Sequence, residues 1–246
     1  MTAGDRCVWF GGLEEGFRVY AFIGKPGVGK TTAALHLVAC DLWKRGLTSS
    51  YREALREAAK RLYAGFGAED LFMFVKERAP TDWLIIDDAA VTFHDFADPY
   101  VWTDFIEIIR LSRDAVATRG IVFTAPSLRY LSRRLWLLVS VYRVERAKLH
   151  YTTAYTPGGC RLVKTPQPQE AVAVFEVSKE PEELRISWTE EPRRERRRLA
   201  GLIPLSPEFA MPPEVEEMHI TIRKRRVYIN AEEAARRLKK KKEVEQ

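Results

Sequence analysis

The chain has 246 residues, 46% of them hydrophobic and 30% charged, which excludes a disordered or fibrous polypeptide and allows one large or two small domains with a buried core. The net charge of +6 is unevenly placed: from residue 191 onward there are 15 Lys/Arg against 10 Asp/Glu, leaving 25 against 24 in the first 190 residues. A basic C-terminal quarter suits either a polyanionic partner or a solvated tail with none.

The longest candidate apolar stretch, Leu135–Val139, falls far short of the roughly 20 residues that a bilayer requires. Met1–Phe10 has no basic start followed by an apolar block, so neither a membrane span nor a secretory leader is expected. Cys7, Cys40 and Cys160 are an odd, sparse set with no metal-ligand spacing. They do not read as a disulfide framework, and a reducing, cytoplasmic setting is expected.

Residues 18–23 (Arg-Val-Tyr-Ala-Phe-Ile) read as a buried strand closed by Gly24. Residues 30–45 read as a helix, with Ala33, Ala34, Leu37, Val38, Asp41 and Leu42 at three-four spacing and Gly46 as its stop. A second helix is expected over 50–64, and a helix in preference to a strand over 69–78. No second strand is identifiable between that first helix and Trp83. Residues 83–87 read as a strand, 99–117 as a long amphipathic helix, 120–124 as a strand, 127–135 as a short basic helix and 137–145 as a strand. This alternation predicts an α/β fold with a parallel sheet covered by helices on both faces.

The pattern changes after about residue 146. Residues 151–155, 160–164, 171–178 and 184–188 are β-rich, and Thr156-Pro157-Gly158-Gly159 is a hairpin tip. Pro192–Arg198 reads as a basic helix start, 218–229 as an alternating strand, and 231–242 as a basic helix capped by Asn230 with Glu233. The expected organisation is a core over 1–146, a β-rich extension over 147–192 and a basic segment over 193–246.

Gly24-Lys25-Pro26-Gly27-Val28-Gly29-Lys30-Thr31 fits the phosphate-loop pattern GxxxxGK[ST] without a mismatch, and Thr32 follows it. Glycines let backbone N–H groups wrap a phosphate, and the helix opening at Lys30 aims its dipole at the same anion. The pattern assigns Lys30 to the β- and γ-phosphates and the Thr31 hydroxyl to Mg²⁺. Downstream, Trp83–Ile86 deliver Asp87 to the sheet's C-terminal edge, where it can hold the metal directly or through water. Asp88 is then placed to orient or deprotonate an attacking water, or to cap the next helix. Thr124 ends its own strand, either to reach between phosphate and water or as a cap. Arg129, Arg133 and Arg134 follow it; an arginine from a neighbouring subunit can stabilise transition-state charge, with Arg133 or Arg134 favoured over Arg110 and Arg113.

In this order, the phosphate loop, Asp87-Asp88, Thr124 and Leu131-Ser132-Arg133-Arg134 resemble the AAA+ ATPases of the initiator and helicase-loader group (DnaA, DnaC and IstB types). Asp87–Val91, Trp102–Arg113 and Val122–Pro126 look most like DnaA-like ATPases of archaeal viruses and plasmids. The resemblance covers roughly residues 18–145. It implies ATP and Mg²⁺ as ligands, a homo-oligomer and a trans-acting arginine, in replication initiation, helicase loading or mobile-element function. The β-rich segment after 146 departs from the helical lid of that group and leaves open a DNA translocation or packaging motor of the FtsK/RecA-like type. A third expectation is an ATP-dependent assembly switch without turnover.

Arg193, Arg194, Arg196, Arg197 and Arg198, with Arg223, Lys224, Arg225 and Arg226, are candidate phosphate contacts on DNA, extended by Arg236, Arg237 and Lys239–Lys242. His36, His94, His150 and His219 have no ligand spacing, so no other metal is expected.

Overall fold

The computed structural model describes residues 16–65, 68–77, 82–92, 119–131, 139–156, 159–178, 196–221, 223, 224, 231 and 235. The chain divides into two units, Met1–Ala210 and Met211–Gln246.

In the first unit the apolar run Arg18–Ile23 forms β1. The loop after it opens helix α1 (Lys30–Lys44), and α2 (Tyr51–Ala59) follows. Ser50 caps α2 by accepting from the Glu53 amide at 3.2 Å, while the Ser49 amide donates to the Glu53 carboxylate at 2.8 Å. Then come β2 (Leu62–Tyr63), α3 (Ala68–Glu77), β3 (Trp83–Ile86), a single turn α4 (Ala89–Thr92) and β4 (Gly120–Ala125). A 3₁₀ turn (Leu128–Tyr130) precedes the long strands β5 (Val139–Thr156) and β6 (Gly159–Ser178), and β7 (Arg196–Pro204) completes the sheet.

The seven strands are ordered β2-β3-β4-β1-β5-β6-β7. Neighbours from β2 to β5 run parallel, and β6 and β7 add antiparallel. The fold is therefore α/β with a mostly parallel sheet. β1 is buried over Val19–Ile23, as a strand covered on both faces should be. One face joins Val19, Ala21, Ile23, Leu84, Ile86, Ile121 and Phe123 to Leu71 of α3. The other face carries Tyr20 and Phe22, whose rings pack on Trp83 and Tyr142, with α1 against it.

At the N-terminal edge of the sheet, buried Asp41 of α1 ties these layers together. It accepts from Trp83 Nε1 at 2.7 Å, Arg119 Nη2 at 3.1 Å and Arg45 Nη1 at 3.1 Å. Arg61 grips Asp82 in bidentate fashion, at 2.7 and 3.1 Å.

Several expectations are corrected. The helix predicted over 50–64 stops at Ala59, and Leu62–Tyr63 form the strand missing from the sequence reading. Two residues carry no periodic signal; this strand exists because β3 offers it a parallel partner. Helix over 127–135 reduces to the turn Leu128–Tyr130 within the described residues. The basic helix start at Pro192–Arg198 gives way, from Arg196, to strand β7, because the free edge of β6 supplies ladder bonds and acid partners.

In the second unit, residues 213–221, 223 and 224 are helical, not the strand expected over 218–229. Pro213 at the first helical position and Glu214, Glu216 and Glu217 in the opening turns outweigh the downstream alternation. Cys40 is disulfide-bonded, its partner's side chain lying outside the described residues. Pairing depends on spatial approach, which cysteine spacing along the chain does not show, so the cysteine count gives no support to a reducing setting.

The hairpin expected over 151–155 and 160–164 is present, paired from Tyr151↔Lys164 to Thr156↔Gly159, and β5 runs unbroken through residue 146. The helix over 99–117, the strand over 184–188, Pro157 and Gly158 of the tip, Asn230 and most of the helix over 231–242 lie outside the described residues. No helix among the described residues is long and apolar enough to cross a membrane.

Candidate functional site

Register places the site. Phe22 of β1 lies level with Thr124 of β4, and Phe123 lies level with Ile86 of β3. Parallel strands therefore deliver Gly24, Thr124 and Asp87 to one edge, the carboxyl edge where open α/β sheets bind ligands.

The loop Gly24–Gly29 rests on the β5–β6 pair. A side chain on Gly24 would bring its Cβ to 2.5 Å from the Val144 carbonyl oxygen. At Gly29, φ is +99° and a Cβ would lie 2.6 Å from Val172 Cγ2, so both conformation and space demand glycine. Gly29 is also the N-cap of α1 and brings no side-chain cap. The first intrahelical bond runs from the Ala33 amide to the Gly29 carbonyl at 2.9 Å. The amides of Lys30, Thr31 and Thr32 thus open the helix without intrahelical acceptors, and the dipole adds positive potential there. Gly24 is buried, Lys25, Pro26 and Gly27 are exposed, and Val28 is half-buried. Thr32 is buried in the first turn.

Lys30 Nζ donates to the Lys25 carbonyl at 3.1 Å. Burial pushes its ammonium pKa down, while the nearby carboxylates of Asp87 and Asp88 oppose that shift. Both acids predicted to face the loop therefore bear electrostatically on the loop lysine.

The two acids are held by two threonines. Thr31 Oγ1 donates to Asp87 Oδ1 at 2.8 Å, and Thr124 Oγ1 donates to the same oxygen at 2.6 Å. Thr124 Oγ1 in turn accepts from the Asp88 amide at 2.8 Å. Asp88 sits at φ +49°, a left-handed conformation that aspartate tolerates better than most residues. One buried hydroxyl thus fixes the Asp87 carboxylate and the backbone that aims Asp88.

The donor set suits Mg²⁺. An octahedral ion with oxygens at about 2.1 Å places adjacent ligands about 3.0 Å apart, and Thr31 Oγ1 and Asp87 Oδ1 stand 2.8 Å apart. Among the described residues no group of three or more His, Cys, Asp or Glu could hold a metal ion. A cation here would complete its shell with phosphate and water oxygens.

Lys30, Thr31, Asp87, Asp88 and Thr124 therefore come together from three segments of the sequence. Arg129 is exposed on the 3₁₀ turn. Arg110, Arg113, Arg133, Arg134, Arg193, Arg194, Arg225 and Arg226 lie outside the described residues. Arg197 is paired to Glu145 at 2.7 Å, and Arg198 to Glu176 at 2.9 Å. Arg223 and Lys224 are exposed in the helical stretch of the second unit. Sequence reasoning missed the support that Val144, Arg146 and Val172 give the loop. No local signal marks them, since they stand more than 100 positions from the residues they touch. No protein-family model matches the chain, and no curated protein does either, so the site is read from its own geometry.

Proposed function

We propose that this protein is a P-loop ATPase that binds Mg²⁺–ATP at the carboxyl edge of its sheet and hydrolyses it to ADP and phosphate. What carries the proposal is the Thr31–Asp87–Thr124 hydrogen-bond set beside Lys30 at the start of an uncapped helix. Lys30 and the first-turn amides of α1 take the phosphates. Thr31 and Asp87 hold the cation, which when bound neutralises charge developing on the phosphate oxygens. Thr124 keeps Asp87 in its rotamer and Asp88 in its left-handed turn. The Asp88 carboxylate receives the proton of the attacking water.

The wider reading is an oligomeric ATPase acting on DNA, in replication initiation, helicase loading or a mobile-element step. The chain's resemblance to initiator-type ATPases and its basic C-terminal quarter support it. With Arg197 engaged by Glu145, the DNA contacts of this reading fall to Arg193, Arg194, Arg223–Arg226 and the residues beyond. A translocation motor is the second reading, favoured by the antiparallel β6 and β7 added to the parallel strands. Directional movement on duplex DNA would select it.

The test is Mg²⁺–ATP binding and turnover across a range of protein concentrations, with and without single- and double-stranded DNA. Lys30→Ala should abolish binding or turnover, and Asp88→Ala should keep binding and lose hydrolysis. A wild-type protein indifferent to nucleotide and Mg²⁺ would overturn the proposal. A rate per subunit independent of concentration and of Arg133 and Arg134 would remove the trans-acting arginine.

A further inference from the structure

The loop Gly24–Gly29 is glycine-rich, and its ordering costs more backbone entropy than that of most segments. Whatever holds it in shape before a ligand arrives lowers the cost of binding. Its two ends are held by packing from the β5–β6 pair: Val144 lies against Gly24 and Val172 against Gly29. The apex is different, because a Cβ on Gly27 would meet nothing within 4 Å. Two side-chain donors tie the loop at its middle. Lys30 Nζ binds the Lys25 carbonyl at 3.1 Å, and Arg146 Nε binds the Gly27 carbonyl at 3.3 Å. In the proposed function Lys30 leaves its carbonyl for phosphate, and the Arg146 bond then remains.

Arg146 is well placed for this. It stands directly across the ladder from Val172, so one rung of the β5–β6 pair meets both the apex and the helix end of the loop. Its guanidinium is itself steadied by Glu170, with Nη1 and Oε2 3.6 Å apart. A planar, permanently charged donor fork can serve a carbonyl and a carboxylate together.

We propose that Arg146 is a positioning residue that latches the apex of the phosphate loop through the Gly27 carbonyl and preorganises it for nucleotide. It acts through the loop rather than on a particular phosphate, so its loss weakens di- and triphosphates alike. The proposal rests on the assignment of Gly24–Thr31 as a nucleotide site.

The experiment compares the full chain with Arg146→Ala, Arg146→Lys and Glu170→Gln by calorimetric titration of ADP and of a non-hydrolysable ATP analogue, both with Mg²⁺. Amide exchange over residues 24–29 and thermal unfolding are followed in parallel. Arg146→Ala should weaken both nucleotides by about fivefold to tenfold, the scale of one partly exposed hydrogen bond. Exchange at the loop should accelerate while the melting temperature stays put. Arg146→Lys should recover part of the affinity, and Glu170→Gln should lose about twofold or threefold. Unchanged affinity in Arg146→Ala overturns the latch, as does a loss confined to the ATP analogue, which would make Arg146 a γ-phosphate contact. An affinity loss that tracks a lowered melting temperature also overturns it. Failure of the wild type to bind either nucleotide is a different result and counts against the function itself.

Discussion

Replacing Thr124 by Val tests the core of the site with almost no change in volume. The side chain is 1% exposed, so the methyl-for-hydroxyl swap leaves no cavity and isolates the hydrogen bonds. Two are lost: the donation to Asp87 Oδ1 at 2.6 Å and the acceptance from the Asp88 amide at 2.8 Å. A bond to a charged group contributes about 1.5–3 kcal/mol, and a buried N–H left without an acceptor costs about 1–3 kcal/mol. Because the two share one atom they are not additive, and a combined loss of about 3 kcal/mol is expected. In a unit of this size that lowers the melting temperature by about 6–12 °C. Under the proposed function Asp88 loses its anchor, so kcat should fall about 10- to 100-fold while ATP affinity, assigned there to Lys30 and the loop, should stay within about threefold. Thr124→Ser keeps the hydroxyl and should hold kcat within about threefold of wild type. Thermal unfolding followed by circular dichroism and a phosphate-release assay read both arms. A Val variant that melts and turns over like the wild type would refute the relay of Thr124 to the two acids.

Three other outcomes follow from the geometry. Gly29→Ala places a methyl 2.6 Å from Val172 Cγ2 at φ +99° and should abolish nucleotide binding; adding Val172→Ala should relieve the clash but not the backbone strain, so titration should show partial recovery at most. His36 is fully buried, with its ring packed against Tyr51 and Phe209, and burial pushes its pKa down to about 4. The unfolded chain then binds more protons between about pH 4 and 6.5. The stability is fully present above about 6.5 and is lost as pH falls towards 4, roughly 3 kcal/mol in all. Urea midpoints across that range should fall with acid, and His36→Phe should flatten the fall. Asp41→Asn removes the charge facing Arg119 and Arg45 and should cost about 3–5 kcal/mol in urea unfolding, leaving nucleotide affinity unchanged because the network lies at the opposite edge of the sheet from the loop.

Much of the site was legible because its chemistry is local. Gly24–Thr31 announce themselves through glycines, Lys30 and Thr31 in one short run, and α1 begins at Lys30 as the sequence requires. Trp83–Ile86 read as a strand from composition alone, and Asp87-Asp88 stand at its end. Thr124 reads from sequence as either a cap or a functional group, and its partners come from register: β4 inserts between β1 and β3, bringing its hydroxyl within 2.6 Å of Asp87 and 2.8 Å of the Asp88 amide.

Features made by pairing were not legible. The two-residue β2 forms only because β3 accepts it, and β7 forms only because the edge of β6 was open. The long β5–β6 hairpin could be located by its turn, yet its brace against Gly24 and Gly29 could not, since steric fit between segments more than 100 residues apart leaves no pattern along the chain. Sequence by itself determined the alternating α/β core, the loop and the acids, because periodicity and backbone freedom are properties of neighbouring residues. Tertiary structure decided strand order, the hydroxyl that joins the two acids, the buried anchor at Asp41 and the latch at Arg146, because each needs two distant stretches of chain to meet.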